Sequence, residues 1–241
     1  MFYSLKRALA PACQRAHKQL QRVFSGCCVL CQGHSDAAPV CAGCARDLPR
    51  MSRDCCVRCA LPWSPPGQCA RCNRLPPAFD GSVACYRYGF ASDQLIHALK
   101  FQGQLALGAW LGARLAEVVG PSLPVDVVVP VPLASARLRQ RGCNQALEIA
   151  RVVAQTHALI LDPHLVQRVR DTPSQRGLRL TQRQQNLRGA FLCRRPLIGL
   201  RIGLVDDVMT SGATLHAVAT ELKRVGAQSV VNWVVARTDV D

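Results

Sequence analysis

The stretch Ile202-Gly-Leu-Val-Asp-Asp-Val-Met-Thr-Ser-Gly-Ala-Thr214 sets the class of fold. An apolar run ends in two consecutive acids, Asp206 and Asp207, and a small hydroxylic turn then enters a helical pattern carried by Leu215, Val218, Leu222 and Val225. A strand that passes through such a turn into a helix is one unit of an α/β sheet. Each part of the turn has a chemical use. Backbone N–H groups at a helix N-terminus, helped by the dipole and by the hydroxyls of Thr210, Ser211 and Thr214, form a cradle for a phosphate monoester. Gly212, followed by the small Ala213, lets the backbone approach closely. Two acids at a strand end accept hydrogen bonds from vicinal ribose hydroxyls, and their charge favours an oxocarbenium-like centre at an anomeric carbon. The pattern fits a 5-phosphoribosyl group. An ordinary capped strand-to-helix turn would account for residues 210–214 but not for the apolar strand ending in Asp-Asp.

Working outward, the chain alternates strands and helices. Residues 82–88 alternate like a strand, and Leu95, Ile96 and Leu99 begin a helical pattern that resumes over 105–119. Residues 125–131 form an apolar, valine-rich run, broken only by Asp126, typical of a buried parallel strand, and Ala146, Ile149, Ala150 and Val153 have helix spacing. Residues 165–169, 190–193 and 201–205 read as strands, and 229–236 as the strand that closes the sheet. The polar, arginine- and glutamine-rich stretch between Arg170 and Gly189 predicts a long exposed loop with a short helix. Together these predict a mostly parallel sheet flanked by helices over residues 79–241.

Before that region lies a duplicated cysteine module. Cys28, Cys31, Cys41 and Cys44 recur 28 positions later as Cys56, Cys59, Cys69 and Cys72, with Cys27/Cys55 and Val29/Val57 in the same register. Paired CxxC knuckles suit tetrahedral Zn²⁺, so the repeat predicts two structural zinc sites in a double zinc ribbon over residues 26–77. Sequential pairing within each copy is the simplest assignment, although a crossed pairing stays open at this level. A segment with so few large apolar side chains needs the metal for most of its folding free energy. Four thiolates per site leave no open coordination position, which argues against catalytic zinc.

The formal net charge is +15, with lysine only at Lys6, Lys18, Lys100 and Lys223, and this basic balance points to polyanionic partners. No apolar stretch is long enough for a membrane-spanning helix. Residues 1–25 form a basic N-terminal helix or tail whose apolar positions are interrupted by Lys6, Arg7, Arg15 and Lys18, unlike a secretory signal, so a cytoplasmic location is expected. Aromatic residues are 5% of the chain, which leaves backbone electrostatics rather than stacking as the means of holding single-stranded DNA.

The segment LVDDVMTSGAT resembles the signature of type I phosphoribosyltransferases. PPAFDGSVACYRYGF, LIHALKFQG, VVVPVPL, RQRGCNQALEIA and TPSQRGLRLTQRQQNLRGAF, preceded by the double ribbon, resemble the ComF family over about residues 26–237. The resemblance implies 5-phosphoribosyl 1-pyrophosphate as ligand, with Mg²⁺. It assigns ribose contacts to Asp206 and Asp207, and the 5′-phosphate to Thr210, Ser211, Gly212, Ala213 and Thr214. The turn at Pro132 and Leu133, with Arg137 and Arg141, would meet the pyrophosphate. Lys100 is similar to a substrate-contacting lysine, and Arg176 and Arg183 lie in a segment matching a mobile loop that closes over substrate. Two functions follow from this likeness. One is transfer of the phosphoribosyl group to an unidentified acceptor; the other is a non-catalytic phosphoribosyl-ligand sensor that binds single-stranded DNA beside competence and DNA-uptake proteins.

Overall fold

The computed structural model describes residues 26–36, 38–52, 54–120, 124–170 and 185–239. The N-terminal basic segment, Arg176 and Arg183 therefore lie outside the described residues. The chain forms two compact units, Met1–Leu48 and Pro49–Asp241.

The two copies of the cysteine module share a backbone. Cys28 N–H donates to Gly33 O at 2.8 Å and Cys56 N–H to Leu61 O at 2.7 Å. Val29 N–H donates to Pro39 O at 2.9 Å, and Val57 N–H to Gly67 O at 3.1 Å. Each of these bonds recurs at the 28-residue period, and so do the bridges Cys27–His34 and Cys55–Pro62. A short helix follows the third cysteine in each copy: α1, Ala42–Asp47, and α2, Ala70–Arg74.

The larger unit continues with β1 (Gly81–Arg87), α3 (Ser92–Phe101), α4 (Leu105–Val119), β2 (Val127–Pro130), α5 (Ser135–Arg141), α6 (Gln145–Thr156) and β3 (Ile160–Leu161). After these come β4 (Val166–Arg168), β5 (Phe191–Cys193), β6 (Arg201–Met209), α7 (Ala213–Arg224) and β7 (Ser229–Arg237). Five strands pair in parallel in the order β1-β7-β6-β2-β3. Helices flank the sheet, as the alternating pattern predicts.

Three local expectations are corrected. The 229–236 strand does not close the sheet but lies between β1 and β6, and Val230 and residues 232–237 are all buried, as an interior position requires. The strands β4 and β5 exist but pair antiparallel with each other, outside the parallel sheet. The strand read over 201–205 runs on to Met209, because β7 continues to pair with it after β2 has ended at Pro130. Periodicity also missed α5 and β3, which are too short to show a repeat.

The helices fit their faces by size. On α4, Leu107, Leu111 and Leu115 are buried at successive turns, each contributing roughly 1.5–3 kcal/mol of apolar burial. Gly112 on the same stripe permits close packing against α6, since a Cβ there would stand 2.8 Å from Val152 Cβ and 2.9 Å from Ile149 O. On α7, Leu215, Val218 and Leu222 join Ile202, Leu204, Val230 and Val234 of the sheet in one core. Cys56, Cys59, Cys69 and Cys72 belong to that same core. Among the described residues no helix is long and apolar enough to cross a membrane.

Candidate functional site

In open parallel sheets, ligands bind beyond the carboxyl ends of the strands where the strand order reverses. Here that point lies between β2, from which the chain moves outward to β3, and β6, from which it moves the other way to β7. Pairing between the two ends at Pro130 and Val205, so Asp206 and Asp207 stand at the mouth of the crevice. The turn after β2 is held there from two sides. Val131 N–H donates to Val205 O at 2.8 Å, and Asn144, which caps α6, donates from Nδ2 to Val131 O at 3.1 Å. Pro132 and Leu133 follow, half-buried.

The structure brings Lys100 and Arg141 to this mouth, with Arg137 near Arg141. Lys100 Nζ, at the end of α3, pairs with Asp207 Oδ1 at 2.8 Å. Arg141, at the end of α5, stands with its guanidinium 5.0 Å from the centre of the Phe101 ring and donates to Gln145 Oε1 at 3.2 Å. Burial lowers its pKa, the charges of Asp207 and Asp206 oppose that, and Arg137 is near enough to add to it. Asp206 accepts from Asp207 N–H at 2.9 Å. Loss of hydration pushes the Asp206 carboxyl up to about 7, the neighbouring Asp207 charge adds to the rise, and Lys100 opposes it. Two adjacent carboxylates thus face the cations Lys100 and Arg141 across the crevice.

Residues 210–214 form the turn into α7. Gly212 caps the helix in the left-handed region at φ +78°, a backbone conformation that favours glycine. Ala213 is buried and begins the helix. Its N–H points to Ser211 Oγ at 3.4 Å.

The residues that hold this turn were not legible in the sequence. Arg237, 2% exposed at the end of β7, donates from Nη1 to the carbonyls of Met209 (2.9 Å), Thr210 and Thr238 (2.8 Å), and from Nε to Cys59 O at 2.8 Å. Arg71 of α2 donates to Ser211 O at 3.2 Å. His216 Nδ1 accepts from Ala78 N–H at 3.0 Å, and burial lowers its pKa. A lone arginine ending a mostly apolar strand was the one available signal for Arg237.

The cysteines gather in sequential groups: Cys28, Cys31, Cys41 and Cys44, and Cys56, Cys59, Cys69 and Cys72, with the sulfurs of each group within 4.8 Å of one another. This decides the pairing that the repeat left open. A zinc–sulfur bond near 2.3 Å gives a tetrahedron with edges of about 3.8 Å. Cys31 Sγ lies 3.8 Å from Cys41 Sγ, and Cys59 Sγ 3.7 Å from Cys69 Sγ. Against burial, backbone N–H groups of Cys31 and Cys41 pull the Cys28 thiol down to about 6, while burial pushes Cys59 up to about 11. Four sulfurs so close need a cation to ionise together, and both groups are compatible with zinc.

No family model matches the chain. Among solved structures it is similar to a purine phosphoribosyltransferase from Pyrococcus horikoshii, 17% identical at TM-score 0.34, covering 54% of this chain and 84% of that one. It is also similar to an allosteric regulatory enzyme of purine biosynthesis, 25% identical at TM-score 0.35 over 53% of this chain and 25% of that one. Among curated proteins it is 35% identical over 170 residues to DNA utilization protein YhgH of Salmonella typhimurium, covering 68% of this chain and 74% of that protein. To Competence protein F of Haemophilus influenzae it is 32% identical over 170 residues, 67% of this chain and 74% of that one. The YhgH protein of Escherichia coli K12 shares 32% over 170 residues, with 68% and 74% covered. On the strength of these relatives, the chain belongs to the ComF family.

Proposed function

We propose that the chain binds 5-phosphoribosyl 1-pyrophosphate at the crevice between β2 and β6 and serves the handling of DNA, the theme of its relatives' names. The observation that carries this reading is the position of Asp206, Asp207 and the 210–214 turn together at the reversal point of a parallel sheet. Asp206 and Asp207 accept from the ribose hydroxyls. The 5′-phosphate sits on the backbone N–H groups and hydroxyls of Thr210, Ser211, Gly212, Ala213 and Thr214. Pro132 and Leu133 border the pyrophosphate, whose charge Arg137 and Arg141 balance; Arg176 and Arg183, the further candidates for this contact, lie outside the described residues. Mg²⁺ carried with the pyrophosphate adds charge neutralisation there.

Lys100 has two partners in turn. It pairs with Asp207 while the ribose is absent, and when the hydroxyls take over that carboxylate its ammonium turns to the incoming pyrophosphate. In a transfer reaction the anomeric carbon–oxygen bond breaks, pyrophosphate leaves with the bonding pair, and the acceptor's lone pair forms the new bond. The two carboxylates stabilise the positive charge that develops between these events. A hydroxyl donates best to an ionised acceptor, so affinity should strengthen as pH rises through about 7, where Asp206 ionises beside Asp207, Lys100 and Arg141.

Calorimetric titration of the zinc-loaded chain with the ligand and Mg²⁺ tests the reading. Asp206→Ala or Asp207→Ala should weaken binding about tenfold to a hundredfold, as expected for loss of hydrogen bonds to a charged group. Absence of binding by the wild-type chain would overturn the reading. Release of pyrophosphate only when nucleobases or oligonucleotides are added identifies a transferase, and binding without release identifies a sensor.

A further inference from the structure

We propose that Arg71 and Arg237 are positioning residues that join the second cysteine group to the phosphate turn, so that zinc at Cys56, Cys59, Cys69 and Cys72 and a phosphate monoester at residues 210–214 bind cooperatively. The inference rests on the reading of that turn as a phosphate site.

The carbonyls of Met209, Thr210 and Ser211 are all engaged by these two guanidiniums. In a planar trans peptide the C=O and the following N–H point in opposite directions. Holding the three carbonyls from one side therefore turns the N–H groups of Thr210, Ser211 and Gly212 to the other side, the arrangement that a phosphate cradle needs. The two guanidiniums converge on consecutive carbonyls of one turn. Their charges add to the positive potential behind the turn.

Both arginines are anchored by the cysteine group. Arg71 occupies the Cys69-Ala-Arg-Cys72 knuckle, so its backbone is set by two ligands on either side of it. Arg237 Nε is held by the carbonyl of Cys59, itself one of the four. Metal that fixes the knuckles fixes the two guanidiniums, and through them the turn. Linkage runs both ways: whatever zinc does for phosphate affinity, phosphate does for zinc affinity. The first copy of the module has Gly43 where the second has Arg71, so it lacks the side chain that makes this connection.

The test uses the full chain, ribose 5-phosphate as probe and competition with a chromogenic chelator as readout. Calorimetry first establishes that ribose 5-phosphate binds the wild-type chain. A Cys41→Ser variant, which keeps only the second group intact, is then titrated with chelator in the presence and absence of saturating ribose 5-phosphate. Its zinc affinity should rise at least about fivefold with the probe, the lower end of typical coupling. With Arg71→Ala or the conservative Arg237→Lys added, the rise should fall below about twofold while zinc is still bound. A purely structural role for the arginines would change zinc affinity equally with and without probe. Probe binding with no change in zinc affinity, or an undiminished change in both arginine variants, would overturn the linkage and leave the phosphate site standing. Failure of the wild-type chain to bind the probe would overturn both.

Discussion

The two copies of the cysteine module have the same spacing and the same backbone hydrogen bonds, yet they have different surroundings. In the first, Cys28 is buried while Cys31 is exposed and Cys41 and Cys44 are half-buried. In the second, all four are buried, none above 5% exposed, and they share a core with Phe79, Leu215 and Met209. The second copy also gives its backbone to the α/β body: Val57 O accepts from Ser82 N–H, Arg58 O from Ser82 Oγ, and Cys59 O from Arg237. A metal knuckle can thus close on itself as a small unit or become part of a larger core. The local sequence of ligands does not distinguish the two outcomes; the residues between them do.

The largest effect should separate the copies most clearly. Cys69→Ser removes a ligand buried in the body's core and should abolish its cooperative melting, whereas Cys41→Ser should leave that transition in place and lose only local structure. Circular dichroism melting with zinc analysis reads both, and equal losses would break the comparison.

Next in size is Arg237→Met, which removes the side-chain donor from the carbonyls of Cys59, Thr210 and Thr238, while Met209 O keeps Thr238 N–H, and should cost about 3 kcal/mol or more in urea denaturation. A loss within experimental scatter would mean that the second copy is not braced through this residue.

A smaller effect concerns Asp206 beside the braced turn. Its folded pKa of about 7 lies above the ordinary 3.8, so the folded chain holds more protons than the unfolded one between these values. Stability should therefore fall as pH rises across that window and level off above it. Asp206→Asn should flatten the fall, measured as urea midpoints at about pH 5 and pH 8. An unchanged pH profile would remove Asp206 as its source.

The smallest effect probes the surfaces of the two copies. Arg46 on α1 and Arg74 on α2 are both exposed. If each meets one phosphate of single-stranded DNA, Arg46→Ala and Arg74→Ala should each flatten the log–log salt dependence by about 0.7. Fluorescence anisotropy across a salt series measures the slopes, and a change in only one of them would assign DNA contact to that copy.

Much of this molecule is written in short-range pattern. The 28-residue period, the CxxC spacing and the Asp-Asp followed by a small hydroxylic turn are properties of neighbouring residues, and so the zinc-compatible groups and the sheet-and-helix class could be read directly. The helices around Leu107 and Ile149 were legible for the same reason, since a buried face repeats every turn. Strand order was not, because an apolar strand looks alike at any interior position, and β7 could be placed beside β1 only by their pairing in space. Nor could charge composition select Arg71 and Arg237 from so many arginines. Their partners lie 140 and 178 positions away, at Ser211 and Cys59. Only tertiary packing decides which cation is buried against which carbonyl, and that packing is what places the second cysteine group behind the 210–214 turn.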